Sequence, residues 1–269
     1  MREDYNISVT KTRLDDLLVE RGLASSRTLA QRLVQAGQVR VDGQVMLKPS
    51  VGIDQEAELS VDHGPPYVSR GGEKLEAALS AFRLEASGRV CADVGASSGG
   101  FTDCLLQHGA ARVYAIDVGQ GILDWKLRQD ERVVVMERTN ARYLQRLPEA
   151  VSLVTIDASF ISLKILLPVV VGWFAPQGGE VVALIKPQFE AERAVVSRGG
   201  GVVREAEVHR QVLTEVLQSA QHQGYGVRGL IRSPLLGPKG NLEFLAWLAH
   251  PGQGPADLND LIAPVAAVV

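Results

Sequence analysis

The stretch Val90-Cys91-Ala92-Asp93-Val94-Gly95-Ala96-Ser97-Ser98-Gly99-Gly100-Phe101-Thr102-Asp103 constrains this chain most. An apolar run ends in Asp93, a glycine-rich turn follows, and Phe101 to Gln107 reads as the start of a helix. A strand, a tight turn and a helix N-terminus in that order aim free backbone N–H groups and the positive helix end at a ligand. Glycine lets that ligand come close to the backbone. The spacing Gly95, Gly99, Gly100 is not the dinucleotide G-x-G-x-x-G. One strand later, Val113-Tyr114-Ala115-Ile116-Asp117 again ends in an acid. A carboxylate about 20 residues beyond such a turn suits a ribose diol. Together these features imply an adenosine-containing ligand without a pyrophosphate, and S-adenosylmethionine fits. Gly95, Ala96, Ser97, Gly99, Gly100 and Phe101 fall to its methionine side, and Asp117 to its ribose. Val118 and Asn140 fall near its adenine, and Asp93 is counted with this set. Ser97 and Ser98 would also serve as plain helix caps.

With 269 residues, the chain has room for one large domain and a small one. Its formal charge of −3 announces no nucleic-acid partner, so any such partner must be sought in local patches. Cys91 and Cys104 flank the glycine turn and read as buried thiols of a reducing, cytoplasmic compartment rather than a disulfide. The histidines show no metal-ligand spacing, and no metal is expected. Met1 to Thr12 is too polar for a signal peptide. The longest apolar run, Ile165 to Pro176, is too short to span a bilayer and contains Pro168, so no membrane role is expected.

Along the chain, residues 1–11 read as a flexible N-terminus. Leu14, Leu17 and Leu18 repeat at helical spacing up to Gly22. Ser25 or Ser26 caps a second helix, with Leu29, Leu33 and Val34 expected inward. Val39-Arg40-Val41 alternates like a strand into an Asp42-Gly43 turn. Residues 12–63 thus form a small unit, and 64–68 a linker. From 69 to 250 strands and helices alternate, which predicts an α/β fold on a mostly parallel sheet. Its strands should end near Asp93, Asp117, Met136, Asp157, Lys186, Ser233 and Ala249. Residues 251–269, rich in Pro, Gly and Ala, read as a tail.

The small unit carries Arg13, Arg27, Arg32, Arg40 and Lys48 largely on polar sides of its elements, which by itself is only a solvated face. However, Arg13-Leu14-Asp15, Leu17-Leu18, Gly22 to Arg27, Ala30, Leu33-Val34, Ala36 to Val39 and Val41-Asp42-Gly43 resemble the alpha-L RNA-binding motif. That motif occurs in a small-subunit ribosomal protein and in pseudouridine synthases. The resemblance implies RNA contact through the second helix and the hairpin, by phosphate and shape.

Four polar residues stand where mere binding would not need them: Lys74, Asp157, Lys186 and Glu243. In an open α/β sheet ligands lie at the carboxyl ends of the strands, which places Asp157 and Lys186 beside the donor. An apolar strand that runs into a lysine needs a partner for the charge, and an ordinary ion pair would also satisfy it. The set resembles the Lys-Asp-Lys-Glu tetrad of FtsJ-like ribose 2′-O-methyltransferases. Ser69-Arg70-Gly71-Gly72, Thr139 to Arg142, Ser159 to Leu163, Leu184 to Glu190, Gly200 to Arg204, and Ser233-Pro234 with Gly240 to Phe244 resemble the TlyA family in particular. This resemblance implies a Rossmann-like, S-adenosylmethionine-dependent methyltransferase domain with a seven-stranded sheet. It also implies action on cytidine ribose of ribosomal RNA in ribosomal subunits, with Lys186 as general base. Arg70 joins the expected RNA contacts. Some family members carry the name hemolysin, but no export signal, spanning segment or barrel pattern supports a lytic role. A non-catalytic assembly factor on the same fold is the other alternative, and an intact tetrad argues against it. The loop from Glu190 to Gly201, with Arg193 and Arg198, reads either as a cover over the RNA site or as a loose connection. Oligomeric state is not legible.

Overall fold

A computed structural model describes residues 11–62, 64–255 and 257–266 of the chain. The chain divides into two compact units, up to Pro66 and from Tyr67 onward.

The first unit contains β1 (Lys11–Arg13), α1 (Leu14–Glu20), α2 (Arg27–Gln35), β2 (Val39–Val41), β3 (Gln44–Met46), β4 (Gly52–Asp54) and β5 (Leu59–Val61). β2 pairs antiparallel with both β3 and β5, and β1 with β4. The expected flexible residues 1–10 lie outside the described set, but Lys11 is not loose: it opens β1, opposite Asp54. Ser26 caps α2 by accepting the Leu29 N–H at 3.3 Å. Asp42 and Gly43, both at positive φ, close the β2–β3 hairpin, as a two-residue turn of this hand requires. Leu14, Leu17, Leu18, Leu33 and Val34 form the core as read, but Leu29 does not. It is exposed, and Ala30, one position on, takes the inward place because the cap at Ser26 sets the phase of the helix.

The second unit holds α3 (Gly71–Phe82), β6 (Val90–Val94), α4 (Gly100–Gln107), β7 (Arg112–Ile116), α5 (Trp125–Arg128), β8 (Val133–Met136), β9 (Leu153–Ile156), α6 (Leu163–Val171), β10 (Gly179–Ile185), α7 (Pro187–Glu190), α8 (Arg193–Arg198), α9 (Ala206–His222), β11 (Gly226–Arg232), β12 (Phe244–His250) and α10 (Asn259–Ala266). Seven strands form one sheet in the order β11-β12-β10-β9-β6-β7-β8. Only β12 runs against its neighbours. Strand residues alternate between two cores, with Ala92 and Val94 on one face of β6 and Cys91 on the other. Both faces are therefore covered, as a parallel sheet requires. The strand order reverses between β6 and β9, so the crevice at their carboxyl ends is the topological switch point where such sheets bind ligands.

Two expectations change. Tyr67 and Val68, read as linker, are docked on the second unit. The Tyr67 hydroxyl donates to Glu76 at 2.6 Å and the Val68 N–H to Asp103 at 2.9 Å. Residues 251–269 are not simply a tail, because α10 packs on α9 and β11. Leu258, just before it, and Ile262 and Ala266 within it recur at intervals of four and are buried, a helical signal hidden by the Pro/Gly/Ala composition. The apolar run from Ile165 supplies α6, and no helix among the described residues is long and apolar enough to cross a membrane.

Candidate active site

The glycine turn leaves β6 under tight control. The N–H groups of Gly95 and Ala96 both donate to the Ile116 carbonyl, and Gly99 donates to Ala96. Gly95 sits at φ +83, and a Cβ there would lie 2.7 Å from the carbonyl oxygen of Asp157. A Cβ on Gly100 would lie 2.3 Å from Ser69 Oγ. These two glycines therefore admit neighbouring backbone and side chain, not only a ligand. Ser97, at φ +50, gives its N–H to Asp117 Oδ2 at 2.8 Å, and Gly119 gives its own to Oδ1 at 2.7 Å. Two backbone amides thus fix the Asp117 carboxylate and leave each oxygen a further lone pair. Neither Ser97 nor Ser98 caps α4, whose N-cap is Gly99, so the plain-cap reading of the serines fails.

Two adjoining hollows share Gly95, Ser97 and Asp157. One, of about 340 Å³, is lined by Arg70, Lys74, Ser98, Phe101, Lys186 and Glu243 among others. The other, of about 290 Å³, includes Asp117, Val118, Asn140 and Phe160. Asn140 spends its Oδ1 on the Arg142 N–H, opening a short helical turn. Asp93 stands apart from the other donor residues. It is fully buried, lines neither hollow, and accepts from the hydroxyls of Thr102 (2.7 Å) and Thr155 (3.1 Å). It ties β6 to α4 and β9 instead of facing a ligand. With only neutral donors around it, burial pushes its carboxyl up to about 7.

The tetrad residues, scattered over 170 positions of sequence, converge on the first hollow as two ion pairs. Lys74 Nζ lies 2.6 Å from Glu243 Oε2, and Lys186 Nζ lies 2.5 Å from Asp157 Oδ1. Both lysines are buried, and Glu243 is almost fully so. β9 and β10 are parallel neighbours, and β10 runs two residues beyond its last pairing with β9, so Lys186 reaches over the turn that begins at Asp157. Lys74 comes from α3, and Glu243 directly precedes β12. Gly237 has no side chain for a reason: a Cβ there would meet Glu243 Oε1 at 2.0 Å.

A third hollow, of about 450 Å³, opens beyond Lys186 and is lined by Ser159, Phe160, Gln188, Phe189, Val196 and Lys239 among others. The Phe160 and Phe189 rings lie 4.9 Å apart. Ser159, Phe160 and Phe189 belong to segments that resemble the family, but the resemblance implies no site role for them. The alternation of the sequence does not show that the turn after β9 brings them to Lys186. The 190–201 segment is partly helical through α8, and Val196 and Gly201 line this hollow, so it is more than a loose connection. The side chains of Arg193 and Arg198 lie outside the described set.

Glu76, Cys104 and His108 also meet, on the facing sides of α3 and α4. Glu76 Oε2 takes the Tyr67 hydroxyl and lies 2.5 Å from His108 Nε2. Those two bonds hold the Glu76 carboxyl below the usual carboxylate range. Cys91 and Cys104 are buried free thiols, and burial pushes each up to about 12.

In the first unit, Arg13 and Arg27 are engaged with Asp15 and Asp16. Arg32, Arg40 and Lys48 are exposed. Arg70, exposed as well, belongs to the second unit and to the rim of the first hollow.

Comparison with known proteins decides the family. Residues 67–250 match the FtsJ-like methyltransferase model, and residues 12–59 match the S4 domain. The chain is 49% identical over 251 residues to the Bacillus subtilis rRNA methyltransferase candidate YqxC, covering 91% of this chain and 88% of that one. It is 47% identical over 244 residues to the 16S/23S rRNA (cytidine-2′-O)-methyltransferase TlyA of Mycobacterium tuberculosis, covering 88% and 90%. The chain belongs to the TlyA family of FtsJ-like methyltransferases. A solved structure from Streptococcus thermophilus, named for hemolysin, shares 43% identity, covers 96% of each chain and superposes with a TM-score of 0.70. The hemolysin name therefore runs through the family beside the methyltransferase one, while the TlyA fold here is that of a methyltransferase joined to an S4 domain.

Proposed function

We propose that this TlyA-family chain methylates a ribose 2′-hydroxyl of ribosomal RNA, at cytidine, with S-adenosylmethionine as donor and Lys186 as general base. The observation that carries the reading is the meeting of two lysine–carboxylate pairs in one hollow, next to a turn and carboxylate suited to an adenosine.

The residues present fit such a donor. Asp117 keeps acceptor capacity toward the second hollow for a ribose diol, and the Gly95–Phe101 turn borders the first hollow for the amino-acid end. When bound, S-adenosylmethionine supplies an electrophilic methyl group. A ribose hydroxyl is a poor nucleophile at neutral pH and needs a placed base. A lysine acts as a base only in its neutral form. Lys186 stands at the meeting of the first and third hollows, within reach of both donor and acceptor sides. Lys74, pinned by Glu243, puts positive charge where the attacking oxygen gains negative charge. Holding the hydroxyl in line supplies much of the acceleration. The acceptor would enter from the third hollow, where Phe160 and Phe189 offer aromatic faces to an unstacked base. On this reading residues 12–63 anchor RNA of ribosomal subunits, residues 69–250 carry the chemistry, and the work is done in the cytoplasm. The S4 match and the exposed Arg32, Arg40 and Lys48 support that division.

The test is Lys186→Ala, assayed with labelled S-adenosylmethionine on ribosomal subunits that lack the modification. Methylation should be abolished while donor affinity, measured by calorimetry, persists. Retention of more than about a tenth of wild-type turnover, a loss below about 1.4 kcal/mol, would remove Lys186 from the role of base.

A further inference from the structure

Lys186 Nζ meets three acceptors on one short segment. Two of them take hydrogen bonds, Ser159 Oγ at 3.1 Å and, more weakly, the Asp157 carbonyl oxygen at 3.5 Å, while Asp157 Oδ1 at 2.5 Å is an ion-pair contact without hydrogen-bond alignment. Strand register explains the meeting. Ala183 of β10 lies beside Ile156 of β9 in parallel pairing, and three residues further the same register sets Lys186 beside Ser159. The chain then turns sharply. Phe160 takes φ +64, a left-handed conformation that is strained for an aromatic residue. That turn sends the ring outward, 90% exposed, and leaves the Ser159 hydroxyl beneath the amine. Ser159 lines both the second and the third hollow, so it stands between the donor side and the acceptor side.

A neutral amine carries two N–H donors and one lone pair in a tetrahedral arrangement. If two fixed acceptors take both donors, the lone pair has one direction. If one acceptor is missing, the amine turns about its Cε–Nζ bond and the lone pair is spread over alternatives. We propose that Ser159 is a positioning residue: its Oγ and the Asp157 carbonyl oxygen hold the two N–H groups of neutral Lys186, beside the Asp157 carboxylate, and aim the lone pair at the acceptor hydroxyl. The inference rests on Lys186 as base. In the step it serves, Nζ takes the proton of the 2′-hydroxyl. The hydroxyl oxygen bonds to the methyl carbon as the carbon–sulfur bond breaks, leaving an ammonium and a neutral thioether. The other charges that face the amine are Asp157 beside it, Lys74, Glu243 and Arg70 around the first hollow, and Lys239 in the third. The Phe189 ring centre lies 5.9 Å away. None of these changes when the serine hydroxyl is removed.

The experiment compares Ser159→Ala and Ser159→Thr in the full chain, with saturating donor, over a pH series. Ser159 is exposed, so loss of its hydroxyl does not threaten the core. Ser159→Ala should lower kcat about tenfold, in the range that placement of a proton-transfer group supplies, with KM and donor affinity unchanged. The acid limb of kcat should move to lower pH, because the ammonium has lost an acceptor and yields its proton more readily. Ser159→Thr, which keeps a hydroxyl, should restore both. Wild-type kcat and an unmoved limb in Ser159→Ala would overturn the proposal, as would equal impairment of the two variants, which marks a steric role. The Lys186→Ala result keeps the two ideas apart: an active Lys186→Ala removes the base, whereas an inactive one beside a wild-type Ser159→Ala removes only the positioning role.

Discussion

Asp15 in the first unit and Asp93 in the second are both fully buried, yet burial acts on them with opposite results. Asp15 lies in the first turn of α1 with two guanidinium groups and an amide turned to it: Arg13 at 2.8 and 2.9 Å, Gln31 at 2.9 Å and Arg27 at 3.3 Å. The bond from Arg13, more than any other contact, holds its carboxyl well below the usual carboxylate range. Asp93 has only neutral donors, the hydroxyls of Thr102 and Thr155 and the Thr102 backbone amide, and burial lifts it to about 7. The small unit has a thin core of short elements and draws on its own arginines to hold α1 and α2 together. The large unit has two apolar cores and tolerates a carboxyl whose charge is poorly compensated. Arginines that look like a nucleic-acid surface in the sequence are therefore partly structural in the smaller unit.

The largest effect expected from this contrast is in the first unit. Asp15→Ala should destabilise it by about 2–3 kcal/mol, the range for a buried group with hydrogen bonds to charged partners. The pH dependence has a definite sign. Because the folded value is depressed, the stabilisation is complete above the unfolded carboxyl's value of about 3.9 and is lost as pH falls below it. Calorimetry of the full chain between pH 6 and pH 3 should show the gap between wild-type and Asp15→Ala melting of the first unit beginning to narrow at the acid end. Parallel curves with a constant gap would show that packing, not the ion pairs, is what Asp15 contributes.

Asp93 should behave in the reverse way and more mildly. Its folded value is raised, so between about pH 4 and pH 7 the folded protein keeps a proton that the unfolded chain gives up. Stability of the second unit then declines across that window and levels off above it. Asp93→Asn removes the titration and should flatten the decline. At pH 8 it should gain about 1–2 kcal/mol over wild type. The full shift sets a ceiling of about 4 kcal/mol, and the loss of one acceptor oxygen offsets part of it. Urea unfolding at pH 5 and pH 8 reads this directly, and an unchanged pH response in Asp93→Asn would place the charge cost elsewhere.

The contrast also marks what a sequence discloses. The seven strands of the second unit follow from apolar runs, and the shared edge of Asp157 and Lys186 follows from two of those runs that end in charged residues, whereas Lys74, on a helix, and Glu243, before the last strand, join them only through the family resemblance. The S4-like core likewise follows from helical spacing, except where the phase of α2 moves Leu29 outward. Three kinds of feature were not legible. Asp93 occupies the strand end where a ligand carboxylate is expected, but strand alternation turns it into the core. Helix α10 is masked by composition, although its apolar residues recur every four positions. Ser159 reaches Lys186 only through a positive φ at Phe160, which periodicity does not encode.

The smallest effect tests whether the division among the first unit's arginines holds for RNA. Arg13 already faces Asp15 at 2.8 Å, and Arg27 faces both Asp15 and Asp16 at 3.3 Å. Arg32 is exposed on α2 and joins no ion pair among the described residues. A phosphate that meets Arg32 releases about one counterion, so Arg32→Gln should lower the slope of log affinity against log salt by about 0.7–0.9 and leave the melting temperature alone. Arg13→Gln should do the opposite, because its charge is already spent on the fold: lower stability of the first unit, unchanged salt slope. Affinity for ribosomal RNA over a salt series, with calorimetry of the same two proteins, separates the roles. If Arg13→Gln lowers the slope as much as Arg32→Gln, the Arg13–Asp15 pair opens on RNA, and the arginines of the small unit serve the fold and the RNA by turns.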